Sequence, residues 1–274
     1  MHSMIEMHSM IETKDLRREF GAVTAVEGLS LDVRPGEVFG LLGPNGAGKT
    51  TTIKMLFTLL PPTSGTATVA GHDISHEPRL VRRSIGYVPQ LLSSDGALSA
   101  RENLDISGRL YHIPGGERRE RIDDALEFMG LVEVGDNLVR TFSGGMVRRL
   151  EIAQAMLHGP PVLFLDEPTV GLDPTARRAV WEHVQELRER EGTTILLTTH
   201  YMDEAAELCE RVGIMHLGAL VALGTPESLA DQVGPGASLD DVFTHFTGSD
   251  LDAAPAGGTY RDLARTRRTA RRLG

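Results

Sequence analysis

The chain has 274 residues, 41 % hydrophobic and 24 % charged, with a formal net charge of −10. That composition suits a folded protein with a sizeable core, and the acidic balance argues against a surface that coats nucleic acid. A single cysteine, Cys209, excludes an internal disulfide and fits a reducing cytoplasm. No apolar run approaches the ~18 residues needed to span a bilayer, and no signal-peptide pattern opens the chain.

Met1–Glu6 reads MHSMIE and Met7–Glu12 repeats it letter for letter. Such a repeat has no physical role and reads as a start-site peculiarity. Short alternating segments at Ile11–Leu16 and Leu29–Val33 predict strands. Glu37–Leu42 (EVFGLL) is a compact apolar run that stops at Gly43, as a buried strand entering a tight loop does. Helical spacing follows over Thr51–Leu60, and Pro61–Pro62 end it because proline cannot continue the hydrogen-bond ladder.

Thr66–Val69 and Ile85–Val88 predict two more strands. From Ser99 to Met129 the pattern is helical and highly charged, broken at His112–Gly116, and Ser143 can cap a further helix running to about His158. Strand-like and helical runs then alternate: Val162–Leu165, Thr175–Glu191, Thr194–Thr198, Tyr201–Arg211 and Val212–His216. That alternation predicts an α/β fold, a mainly parallel sheet covered by helices. The helix-rich stretch, about residues 93–158, reads as a subdomain inserted into it. From Gly248 a Gly/Ala/Pro-rich linker leads to a tail carrying Arg261, Arg265, Arg267, Arg268, Arg271 and Arg272. The tail reads either as a solvated end or as a contact for anionic headgroups or an acidic partner.

Two motifs carry chemistry. GPNGAGKT at Gly43–Thr50 fits G-x-x-x-x-G-K-[ST]. Gly43, Gly46 and Gly48 let backbone N–H groups turn inward around phosphate oxygens, Lys49 supplies charge to the β- and γ-phosphates, and the Thr50 hydroxyl can ligate Mg²⁺. Asn45, Ala47 and Thr51 complete the loop and the helix start, whose dipole favours the same anion. VLFLDEP at Val162–Pro168 places Asp166 and Glu167 at the end of an apolar strand. One carboxylate there can support the metal shell, and the next can accept a proton from attacking water.

With these motifs the chain resembles the nucleotide-binding subunits of ABC transporters. FSGGM at Phe142–Met146 is similar to the family's LSGGQ signature, with Met146 in place of Gln, and GLDP at Gly171–Pro174 is similar to its D-loop. The resemblance implies a P-loop NTPase core with a mainly parallel sheet, a small antiparallel β subdomain and an inserted helical subdomain, spanning residues 13–247. It implies ATP and Mg²⁺ as cofactors, Glu167 as general base, and Lys49, Gln90 and His200 acting around the γ-phosphate. The implied metal set is Thr50, Gln90 and Asp166. Phe20 takes the position of the aromatic that stacks on adenine, Val26 joins the nucleotide contacts, and Ser143, Gly144, Gly145 and Asp173 act across a head-to-tail dimer of ATPase subunits.

Tyr87–Gly96, Asn103–Pro114 and Thr141–Ala155 resemble the ATP-binding subunits of bacterial drug exporters, the daunorubicin-resistance group. That implies a peripheral protein on the cytoplasmic face of the membrane, working with a separate integral-membrane permease and with no nucleic acid. The competing readings are a soluble ABC ATPase acting on the ribosome or DNA, and a non-hydrolysing regulator. The first is disfavoured by one cassette and one cysteine, and the second by the presence of both Glu167 and His200.

Overall fold

Ile11–Phe20 (β1) and Val23–Val33 (β2) form an antiparallel pair, longer than the two sequence segments that announce it. Register shifts between Thr13 and Glu19 break the clean alternation that marks a strand in sequence. A computed structural model describes residues 9–248. The first MHSMIE copy and, beyond Gly248, the linker and the arginine tail lie outside the described residues.

Val38–Leu42 (β3) is buried at every position and leads into the helix Lys49–Leu56 (α1). The helix stops before the prolines. Thr58 has φ of 66°, and the amides of Leu59 and Leu60 both turn back to the Lys54 carbonyl, closing the end four residues earlier than the periodicity predicts. Ser64–Val69 (β4) pairs antiparallel with β1, and the two-residue His72–Asp73 (β5) completes a four-stranded sheet in the order β2-β1-β4-β5. A short helix, Pro78–Arg83 (α2), precedes Ile85–Val88 (β6).

Ala100–Leu110 (α3) begins at a reciprocal cap: the Glu102 amide donates to Ser99 Oγ at 3.1 Å, and the Ser99 amide to Glu102 Oε2 at 2.8 Å. Gly115–Phe128 (α4) buries only Ile122 and Leu126 of its highly charged sequence. Ser143 caps Gly144–Met156 (α5). Val162–Asp166 (β7), Pro174–Glu191 (α6), Thr194–Thr199 (β8), Met202–Leu208 (α7) and Arg211–His216 (β9) continue the alternation. Ala219–Gly224 (β10), Pro226–Val233 (α8) and Leu239–Thr247 (α9) close the described chain.

The second sheet runs β10-β9-β3-β8-β7-β6, parallel except for the β9–β10 hairpin. β3, β7 and β8 are buried on both faces, which is why β3 and most of β7 read as apolar runs rather than alternations, while β8 keeps a buried Ile195–Leu197 centre between threonines. One core lies between this sheet and the antiparallel sheet, around Phe39, Leu41, Ile53 and Phe164. The other lies on its opposite face and reaches α3–α5, through Leu163, Leu165, Leu150 and Leu104. Cys209 caps α7 and is buried beneath Gly40, where any added Cβ would meet its sulfur.

His158, just past α5, stacks on Tyr111 at 3.6 Å between ring centroids and contacts the Ile85 carbonyl through Nε2 at 3.1 Å. Burial is the main cause that lowers its pKa from 6.5 to about 4, against the raising effect of that carbonyl. The unfolded chain therefore protonates His158 first, so its contribution to stability is whole above 6.5 and lost as pH falls from 6.5 to about 4. A His158→Gln chain is expected to show a smaller drop in melting temperature across that window, and an unchanged drop would refute the assignment.

Candidate functional site

Four neighbouring parallel strands deliver the site to their carboxyl ends, where open α/β sheets bind ligands. β3 feeds the Gly43–Thr50 loop, β8 ends one residue before His200, β7 ends at Asp166 with Glu167 next, and Gln90 follows β6 by two residues. Ala25, Pro44, Asn45, Gly46, Gly48, Lys49, Thr50, Thr51, Gln90 and Glu167 line one cavity of about 130 Å³ at the loop.

The loop conformation demands glycine at Gly48, which has φ of 106°; a Cβ there would lie 2.5 Å from the Ala25 carbonyl oxygen. Lys49 is buried, and its Nζ donates to the Gly43 carbonyl at 2.6 Å and pairs with Glu167 Oε1 at 3.0 Å. Thr50 Oγ1 donates to Asp166 Oδ1 at 3.0 Å, and Thr198 Oγ1 donates to the same oxygen at 2.7 Å. Asp166 is thus held from two sides with its other oxygen free of those bonds.

Glu167 is a non-glycine residue at φ of 51°, a costly backbone state that turns its side chain into the cavity. The Thr198 carbonyl and hydroxyl both accept from its amide, at 3.1 Å and 3.0 Å. His200 Nδ1 meets its Oε2 at 2.7 Å. Burial pushes the Glu167 carboxyl upward, but the His200 hydrogen bond and the Lys49 charge outweigh it and hold the group below the usual carboxylate value. At neutral pH Glu167 is ionised and able to accept a proton.

The remaining expected residues fall into two groups. Val26 is fully buried and sits behind Gly48, so it props the loop from the core while Ala25 lines the cavity. Ala47 is also buried and its carbonyl accepts from the Gly218 amide at 3.1 Å. Phe20 is 47 % exposed at the end of β1, with the Arg18 guanidinium 4.6 Å over its ring. It is neither a core aromatic nor part of the cavity lining.

Ser143, Gly144, Gly145 and Asp173 stand together away from that lining. Ser143 and Gly144 are exposed, while Gly145 is buried against Ala176 on α6. The Met146 amide donates to Ser143 Oγ at 3.3 Å, and Asp173 caps α6 by accepting from the amides of Thr175 and Ala176. The Gln-to-Met departure at 146 leaves this cap intact. Sequence reasoning missed Thr198, whose only signal is its place in LLTTH at the end of an apolar strand.

The ABC transporter family profile matches residues 26–170. The chain belongs to the ABC transporter ATP-binding family. It is 43 % identical over 245 residues to the linearmycin resistance ATP-binding protein LnrL of Bacillus subtilis, covering 89 % of this chain and 77 % of the relative. It is 44 % identical over 265 residues to the daunorubicin/doxorubicin resistance ATP-binding protein DrrA of Streptomyces peucetius, covering 95 % and 80 %. Among solved structures, the dimeric post-hydrolysis state of the ATP-binding cassette MJ0796 bound to ADP and Pi superposes with a TM-score of 0.71 at 26 % identity, covering 79 % and 98 %. This ABC ATPase is therefore an ATP-hydrolysing subunit of the drug-resistance and exporter type, with the expected α/β fold of mostly parallel and smaller antiparallel sheets. No helix among the described residues is long and apolar enough to cross a membrane.

Proposed function

We propose that this ABC ATPase works as one of two identical subunits that bind two ATP molecules head to tail, on the cytoplasmic face of a membrane. Their cycle drives efflux of a drug-like or lipid-like compound through a separate integral-membrane permease. The observation that carries the reading is the separation of two half-sites. The Gly43–Thr50 loop and Glu167 line one cavity, while exposed Ser143 and Gly144 line no part of it. An exposed helix N-terminus with free amides is a second anion site, and a facing subunit supplies the phosphate it fits.

Within the site, loop amides and Lys49 hold the phosphates and Glu167 removes the proton from the attacking water. His200 orients Glu167 and, through its second ring nitrogen, reaches toward the γ-phosphate. Thr50, Asp166 and Gln90 offer oxygen donors that suit Mg²⁺, a cation that keeps phosphate and water oxygens in its shell. When bound, Mg²⁺ neutralises charge on the transferring phosphoryl group.

The efflux reading draws on the two drug-resistance relatives. Purifying the membrane complex through this subunit is expected to recover an integral partner with spanning helices, together with a membrane pool of the ATPase that high salt releases. A pool bound only to ribosomes or DNA would refute it.

Because the His200 hydrogen bond is the chief influence lowering the Glu167 pKa, His200→Ala leaves burial and Lys49 in competition and raises it. The base then ionises at higher pH, so the acid limb of kcat against pH is expected to move upward along with a lower plateau. An unmoved limb would show that His200 does not set the protonation of Glu167.

A further inference from the structure

A buried ion pair outside the phosphate cavity joins the two half-sites within one subunit. Arg148 and Glu151 lie three residues apart on one face of α5, with side chains only 1 % and 2 % exposed. Their guanidinium and carboxylate meet at 3.0 Å. Both then reach the same neighbouring segment. Arg148 Nη1 donates to the Pro89 carbonyl at 2.7 Å and Nη2 to the Gln90 carbonyl at 2.8 Å. Glu151 Oε1 accepts from the Ser93 amide, from the Ser93 hydroxyl at 3.0 Å and from the Ser94 amide at 3.3 Å. Two opposite charges thus grip residues 89–94 by backbone groups on either side of Leu91 and Leu92.

The two ends of this clasp serve different nucleotides. Gln90 lines the cavity of its own Gly43–Thr50 loop. Ser143 caps the same α5 that carries the clasp, five residues before Arg148, and a helical segment that short is stiff. Burying both charges is costly unless geometry and extra hydrogen bonds compensate, so the pair is a demanding way merely to fasten a loop. We infer that Arg148 and Glu151 are positioning residues which lock Gln90 to α5, so that the placing of Gln90 at one ATP also aims Ser143–Gly145 at the ATP of the other subunit. This rests on the head-to-tail reading above.

The test uses mixed dimers with Glu167→Gln in one subunit, leaving a single hydrolysing site in the other. Arg148→Met with Glu151→Met removes both charges, so neither stays buried without its partner. Should that chain not fold, Glu151→Gln, which keeps the shape, carries the same comparison. Placed in the non-hydrolysing subunit, the clasp variant is expected to lower hydrolysis in the untouched subunit about tenfold, because a small misplacement of a binding group is enough. Binding of a fluorescent ATP analogue to the variant chain alone should stay within about twofold of the parent, as expected when only the cross-subunit step is affected.

A loss confined to dimers in which the hydrolysing subunit itself carries the variant would overturn the inference, since it would reduce the clasp to local support for Gln90. So would a variant that hydrolyses like the parent in both placements. Ser143→Arg in the non-hydrolysing subunit is the control for the underlying reading. If Ser143→Arg leaves hydrolysis intact, the head-to-tail arrangement falls and the inference with it; if it abolishes hydrolysis while the clasp variant does not, the inference alone falls.

Discussion

Replacing Glu167 with Gln is expected to lower kcat by about a hundredfold to ten-thousandfold, the usual worth of a positioned general base. The substitution is nearly isosteric. An amide oxygen can still face Lys49 Nζ, and the amide nitrogen can still meet His200, so the loop and the β7 end stay in place. What disappears is the only group in the cavity lining that can take a proton from water at neutral pH. ATP should therefore bind as before and the closed pair should persist. Gel filtration with ATP is expected to show a stable dimer for the variant and a transient one for the parent. Undiminished phosphate release would refute Glu167 as the base.

Lys49→Ala removes the loop's charge. Loss of one preorganised donor at a developing negative charge costs about 10²–10³ in rate, and here a second effect adds to it. Lys49 is the nearest cation to Glu167, so without it burial faces only the His200 bond and the Glu167 pKa rises. The base is then less ionised as well as the phosphate less held. Lys49→Arg is not expected to rescue, because the site around Nζ is a close fit: the Gly43 carbonyl at 2.6 Å, the Pro44 carbonyl at 3.3 Å and Glu167 at 3.0 Å. A planar guanidinium does not replace a compact ammonium there. Steady-state kinetics across ATP concentration separates weakened binding from slowed chemistry, and a Lys49→Ala chain with parental kcat/KM would exclude the role.

The site was legible where chemistry and local structure coincide. Gly43–Thr50 is read directly because glycines, a lysine and a hydroxyl at fixed spacing serve one backbone shape, and Asp166–Glu167 are marked by the apolar strand they end. Ser143 declares itself as a helix cap. Residues that act through tertiary contact left weaker traces. Arg148 and Glu151 sit in a helix whose one other charge, Arg149, is half-buried and donates to the Met129 carbonyl at 2.6 Å, and three-residue spacing usually means a solvated pair. Only the fold reveals that this face turns inward onto residues 89–94. Val26, expected as a nucleotide contact, lies buried behind the loop while Ala25 lines the cavity, because a β-strand period places the two on opposite faces. Helix ends were the least legible: α1 closes at Leu56 and α7 at Leu208, each through local backbone geometry that composition does not encode.

The edge-on arrangement of the site has a kinetic consequence. Gly43–Thr50, His200, Asp166–Glu167 and Gln90 leave four adjacent strands spaced about 4.8 Å apart. They make a row along one rim of the sheet, and Ser143–Gly145 line no part of the cavity there. In the proposed pair, the missing wall arrives by collision. Specific activity of the isolated subunit should then fall on dilution, the rate approaching second order in protein when encounters are scarce and first order once they saturate. An exporter would escape this dependence by tethering its two ATPases side by side, so the permease acts as a catalyst of meeting as well as a channel for cargo.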